Sequence, residues 1–435
     1  MKKDTFIVGF MLFALFFGAG NLIYPPVLGV SSGSSFFSAI VGFIMTGIGL
    51  PVLAVTAISY VKEDARELGN PVHPLFGLFF TCLVYLAIGP FFGIPRAATV
   101  GYEMSIEPFL TTASSESLWL FTSIFFLAVF LVSLNPSKMV DRIGQILTPI
   151  LLLSIAILVI GGLLLFDKPL QPATGDYKES PFFTGFIEGY LTMDAIAALA
   201  FGIIVVQTFK ERGLSSRQAL IKATLKVGFI AGIGLIIVYT TLGWISAKLP
   251  KGELFANGGE ILSHAATSIF GTSGTLLLGI IVTLACFTTS VGLVVATAQF
   301  FVKISPLSYK WLAVIITLAS YLIANQGLNT IIRFSVPALV FLYPIAIVLI
   351  LLTFMQPLFG SRKAVYRGAI LFTSIVSLYD GLQELEVTIP LVTDYFAVLP
   401  FSNIGLGWLV PALIGGILGW ILSLFRQHRP LHEQG

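Results

Sequence analysis

Twelve apolar runs of about 20 residues, separated by short polar stretches, constrain this chain more than any other feature. They lie at approximately 5–30, 36–60, 73–103, 117–134, 139–166, 182–209, 219–247, 274–302, 309–325, 328–356, 365–381 and 404–425. Runs of that length cross a bilayer, where each segment must satisfy its own backbone polar groups, so the expected fold class is an all-α polytopic membrane protein. Charged residues are 10% of the 435, against about 25% in soluble domains. No separate soluble domain is expected, and the first run is read as its own uncleaved insertion signal.

The basic residues orient the spans. With both termini inside, 18 of the 24 Lys and Arg residues fall in inner segments, including Lys62, Lys138, Arg142, Lys210, Arg217, Lys303, Arg367 and Arg429. Only Lys168, Lys178, Lys248 and Lys251 fall outside, while Arg96 and Arg333 lie within spans. This obeys the positive-inside rule, and one missed span would invert every later loop. The net charge of +3 adds little, because distribution and not the sum orients the chain. Cys82 and Cys286 sit in apolar runs and imply no disulfide framework. His428 and His432 have helical metal-ligand spacing, but in a short polar tail beside Pro430, so no metal site is read there. An amphipathic surface helix is expected around Ile261 to Ile269.

The first span reads LFALFFGAGNLIYPP from Leu12 to Pro26. Gly18, Ala19 and Gly20 predict a break near mid-membrane depth, with Asn21 capping the helix that restarts and Pro25 and Pro26 early in it. Broken backbone persists in lipid only where protein buries it or it lines a polar cavity. Carbonyls ending the first half-helix, around Phe16 and Phe17, attract a cation; amides opening the second, at Gly20 and Asn21, attract a carboxylate. The bland alternative is a kink that adjusts helix packing.

The sixth span, 182–209, carries Gly189, Thr192 and Asp194 at its middle and predicts a second break. If spans 1–5 and 6–10 are inverted repeats, the two breaks correspond, the best sequence-level pointer to a transporter site. At about 1.5 Å per residue, Phe17, Thr192, Thr288 and Thr289 all reach the midplane. Carbonyls of Ala14 and Phe17 with hydroxyls of Thr288 and Thr289 are therefore the expected cation site, the alternative being hydroxyls that bond back to their own helix. Free carbonyls of both breaks suit an ammonium, and Phe16, Phe17, Tyr190 and Leu191 flank them with apolar surface. Together these describe a zwitterion with a hydrocarbon side chain. Asp194, a costly intramembrane charge, holds span 6 in shape, contacts the ammonium, binds a coupling proton or caps its half-helix. Arg96 and Arg333 are placed toward the outer ends of spans 3 and 10, where snorkelling or a gate role explains them.

No nucleotide-binding motif or soluble domain supports a primary pump. Apart from Asp194 with nearby Glu188, no cluster of acids, His or Cys at one depth supports a membrane enzyme. A channel, with pore-lining rings, is the remaining alternative to a carrier.

At LFFGAGNLIYPP, GPFFGIPRAATVGYE, GYLTMDAIAALAFG and CFTTSVGL, over essentially the whole chain, the sequence closely resembles the bacterial branched-chain amino acid:cation symporters, the BrnQ-type carriers. The resemblance implies a single transmembrane domain of LeuT-like fold. Its two repeats would cover about 5–167 and 181–356, with extra helices over about 364–426. It implies twelve helices, a five-plus-five inverted repeat with two added helices, and sodium-driven symport of leucine, isoleucine and valine across the inner membrane. It places Gly18, Gly20 and Asn21 at the substrate carboxylate, Thr192 in the span 6 break, and Thr288 and Thr289 at a sodium ion. Expected partners are those substrates, sodium and the bilayer, with no nucleic acid and no cofactor.

Overall fold

The computed structural model describes residues 2–61, 64–110, 114–135, 148–165, 168–249, 255–387 and 390–427. Lys62, Lys138, Arg142, Lys251, His428, Arg429, His432 and the start of the fifth expected span lie outside these residues. Among the described residues, regular structure is helical throughout. Contacts group the chain into two compact units, Met1–Tyr60 with Tyr85–Ser335, and Val61–Val84 with Val336–Gly435.

Among the described residues, six helical runs, some of them bent or interrupted within, are long and apolar enough to cross a membrane: Ala19–Ile58, Pro74–Phe109, Ser115–Ser133, Arg217–Ser246, Thr272–Val302 and Leu328–Phe359. Pro181–Thr192 and Asp194–Glu211, bent by 45°, make a seventh if taken as one span. Shorter apolar helices occupy Asp4–Phe16, Thr148–Leu164, Tyr309–Ala324 and Leu409–Phe425. The amphipathic helix expected near Ile261 is present as Gly258–Phe270, capped by Asn257 Oδ1 on the amides of Gly259 and Glu260.

Among the described residues, four of the expected spans are interrupted, two more than the sequence reading anticipated. Span 2 takes a π turn at Met45–Gly49 just before Pro51, and span 3 takes one at Ala87–Phe91 around Pro90. Proline lacks an amide hydrogen and crowds the turn before it, so the ladder re-registers there. At Gly89 the backbone leaves helical geometry altogether (φ −85°, ψ −120°). Consequently the helix Gly93–Ser105 starts afresh with Arg96 in its first turn.

In the first unit, aromatic pairs lock the broken spans to their neighbours. Phe16 meets Phe201 of span 6 at 5.9 Å between ring centroids, and Phe43 of span 2 meets Tyr239 of span 7 at 5.5 Å. In the second unit, the helices Lys363–Glu384 and Leu409–Gln427 meet along glycines: a Cβ added to Gly368 would lie 2.0 Å from the Gly415 carbonyl. Close backbone approach of this kind replaces the missing hydrophobic driving force between helices in lipid.

Candidate functional site

The first half of span 1 ends at Phe16 and the second begins at Ala19, so the break is Phe17 and Gly18, one to two residues earlier than expected. Gly18 is extended (φ −130°, ψ −158°), and its amide leaves the helical ladder. That amide donates instead to Asn21 Oδ1 at 2.9 Å. Asn21 is thus the third residue of the new helix, reaching back to close its start, and not the residue before it. Pro25 and Pro26 lie in the helix interior, where the carbonyls of Asn21 and Leu22 lose their usual amide partners.

Four carbonyls at the end of a helix need partners from elsewhere. Thr288 Oγ1 donates to the Ala14 carbonyl (3.0 Å) and to Ala285 of its own helix (2.9 Å). Thr289 Oγ1 donates to the carbonyls of Leu15 (3.0 Å) and Phe17 (3.3 Å). The expected carbonyls and hydroxyls therefore converge, joined by Leu15 and Ala285. A cation with oxygen bonds of about 2.4 Å spaces neighbouring ligands by about 3.4 Å; the hydroxyl–carbonyl pairs here stand 2.9 to 3.3 Å apart. Thr288 is buried, and Gly18 permits the contact: a Cβ there would lie 2.8 Å from Thr289 Oγ1.

Span 6 ends its first helix at Glu188, takes a tight turn over Gly189–Thr192, and restarts at Asp194. Met193 between them is left-handed (φ 70°), one of three described non-glycine residues with positive φ. Asp194 makes no cap. Its Oδ2 accepts from Asn21 Nδ2 at 2.5 Å and from the Tyr239 hydroxyl at 2.8 Å, and the Asn21 amide also meets Tyr239. One carboxylate thereby binds spans 1, 6 and 7 together.

Arg96 corrects the largest misplacement. It is buried at 3% exposure, with Nη1 donating to the Leu191 carbonyl at 3.0 Å and Nη2 to the Thr192 carbonyl at 3.2 Å. Counting depth along span 3 fails because the helical run Pro74–Phe109 exceeds the bilayer in length and is broken at Gly89. The span 6 carbonyls offered above to an ammonium are thus engaged by a guanidinium. Arg333, the sixth residue of Leu328–Phe359, is exposed and does not join Arg96, because its helix turns it outward.

A small cavity of about 30 Å³ lies between the two breaks. Phe16, Gly18, Ala19, Gly20, Asn21, Arg96, Thr192, Asp194 and Thr289 line it. Phe17, Tyr190 and Leu191 do not supply its apolar walls as expected. Phe17 stacks on Phe13, Tyr190 packs on Phe186, and Leu191 offers its carbonyl to Arg96. Phe201, Ile88 and Leu293 stand there with Phe16. Sequence reasoning missed these, together with Tyr239; apolar or aromatic residues in apolar spans carry no local mark of facing a cavity.

A family described as "Branched-chain amino acid transport protein" matches residues 1–426. The branched-chain amino acid permease BrnQ of Bacillus subtilis (strain 168) is 47% identical over 425 residues, 97% of each chain. The permease BraB of the same organism is 45% identical over 431 residues, 97% of this chain and 96% of that protein. Among solved structures, the nucleobase-cation-symport-1 family transporter Mhp1, closed with bromovinylhydantoin bound, covers 99% of this chain and 94% of its own at TM-score 0.62 and 15% identity. A manganese transporter of Eremococcus coleocola covers 96% and 94% at TM-score 0.57 and 14% identity. At such identities the likeness speaks for the fold alone: a helical membrane transporter fold of the LeuT-like kind. With a match over nearly its whole length and relatives approaching half identity, the chain belongs to the branched-chain amino acid transport protein family, a family of transporters and not of enzymes.

Proposed function

We propose that the chain is a sodium-coupled symporter that imports leucine, isoleucine and valine across the cytoplasmic membrane by alternating access. In this reading it has twelve spans, a five-plus-five inverted repeat with two added helices, and cytoplasmic termini. The names of the BrnQ and BraB relatives support the substrate class. The observation that carries coupled transport is the oxygen cluster of Ala14, Leu15, Phe17, Ala285, Thr288 and Thr289, built on the lip of a break that also walls the cavity. An ion drawn there fixes the break, and the break shapes the substrate site. The cavity matches one or two waters and not an amino acid, so loading requires the broken spans to part, as a carrier does and an open pore does not.

A second reading is coupling by a proton on Asp194, which the channel alternative does not share. It is favoured by the carboxylate's burial at 3% exposure beside neutral donors Asn21 and Tyr239.

Competition against labelled leucine uptake in proteoliposomes tests the substrate class. Phe16, Phe201, Ile88 and Leu293 form an apolar wall, which separates one methylene from the next by only about 1–3 kcal/mol. Isoleucine and valine should inhibit strongly, alanine weakly, and glutamate and lysine hardly at all. Equal inhibition by lysine would sink this reading of the pocket.

A further inference from the structure

Arg96 presses its guanidinium against the first turn of the second half of span 1. A Cβ placed on Gly20 would lie 2.8 Å from Nη2. The amides of Ala19 and Gly20 open that helix, and the positive end of its dipole faces the cavity that Arg96 also lines. Two positive poles of one sign thus meet at one wall. Four contacts hold the Arg96 plane in place: the carbonyls of Leu191 and Thr192, the Tyr24 hydroxyl at 3.4 Å, and the Tyr24 ring with Cζ 5.6 Å from its centroid. Its Nε, fully buried, has no hydrogen-bond partner among the described residues. A buried donor left over on a cation, next to a helix N-terminus and lining a cavity, is the arrangement that receives an anion.

We propose that Arg96 is the specificity-determining residue that reads the substrate's α-carboxylate, together with the amides of Ala19 and Gly20. The inference rests on the amino acid transport reading above and names the group that makes the site choose amino acids over amines. It also orients the zwitterion. Leu191 and Thr192 carbonyls are engaged by Arg96, so the ammonium turns toward the carboxylate of Asp194, which lines the same cavity. Charge on the substrate is then matched at both ends by charge in the protein, without a further ion at the carboxylate.

The test compares leucine with leucinol, which keeps the ammonium and side chain and lacks the carboxylate. Equilibrium displacement of labelled leucine from reconstituted wild-type protein should show leucine at least about 100-fold tighter, and Arg96→Gln should narrow that ratio at least tenfold by weakening leucine alone. Arg96→Lys keeps the charge and donates to the same carbonyls but loses the fork. It should narrow the ratio less, and it carries the test if the glutamine variant does not fold. A ratio unchanged in whichever variant folds, with both ligands weakened equally, would reduce Arg96 to a clamp on span 6 and overturn the proposal. Failure of the wild-type protein to bind leucine at all would instead overturn the transport reading on which it rests.

Discussion

The side-chain amide of Asn21 donates to Asp194 Oδ2 across 2.5 Å, joining residues 173 apart in sequence. Asn21 is also the residue whose Oδ1 closes the start of the second half of span 1, and Asp194 is the first helical residue after the span 6 break. The two discontinuities are therefore one mechanical unit. Whatever moves the first break pulls on the second, and Tyr239 ties both to span 7.

That unit sets the expectation for Asp194→Asn. The substitution leaves the shape in place and removes the charge that draws the Asn21 amide and the Tyr239 hydroxyl together. Hydrogen bonds to a charged group are worth about 1.5–3 kcal/mol, so coupled accumulation and leucine exchange should fall together. Radiolabel exchange across proteoliposomes with no gradient separates the cases. Exchange preserved at the wild-type rate with accumulation lost would assign a driving proton to Asp194.

Thr288→Val and Thr289→Val each delete one hydroxyl from the oxygen cluster while keeping the side chain's volume. Loss of one ligand, at about 1.4 kcal/mol, should raise the sodium concentration for half-maximal leucine uptake about tenfold. Thr288→Ser, which keeps the hydroxyl, should stay within about threefold of wild type. Unchanged sodium dependence in both valine variants would remove these hydroxyls from the ion's path.

Gly18 and Gly20 differ in what an added methyl group would strike. At Gly18 the nearest atoms belong to the Thr289 side chain, which can rotate; at Gly20 they are the Thr192 carbonyl oxygen at 2.7 Å and Arg96 Nη2 at 2.8 Å. Because backbone cannot step aside, Gly20→Ala should abolish uptake in protein that still reaches the membrane. Gly18→Ala should retain a measurable fraction and alter sodium dependence. Equal uptake by the two variants would mean that the breaks are not in tight contact in the working protein.

The sequence made the two broken spans legible because glycines, an asparagine and an intramembrane acid interrupt otherwise uniform apolar runs. Thr288 and Thr289 stood out for the same reason, and the structure brings them to the carbonyls of Ala14 and Phe17. The place of Arg96 is not legible in the sequence, because depth along a straight helix loses its meaning where span 3 re-registers at Gly89 and Pro90. Tyr239 lay hidden, since a tyrosine in an apolar span has many roles and only the fold shows that its hydroxyl meets Asp194. Leu15 and Ala285 act through backbone carbonyls, which every residue possesses and no sequence pattern marks. Adjacency to the break is a poor guide at Tyr190 and Leu191, because the tight turn at Gly189–Thr192 sends the Tyr190 ring to Phe186.

The central claim is that an ion held at the lip of the span 1 break drives accumulation. Purified protein in proteoliposomes, given labelled leucine and either an inward sodium gradient at equal pH or an inward proton gradient without sodium, tests it most directly. Concentrative uptake under the sodium gradient alone is the predicted result. Concentrative uptake under the proton gradient alone, with sodium of no effect, would contradict it.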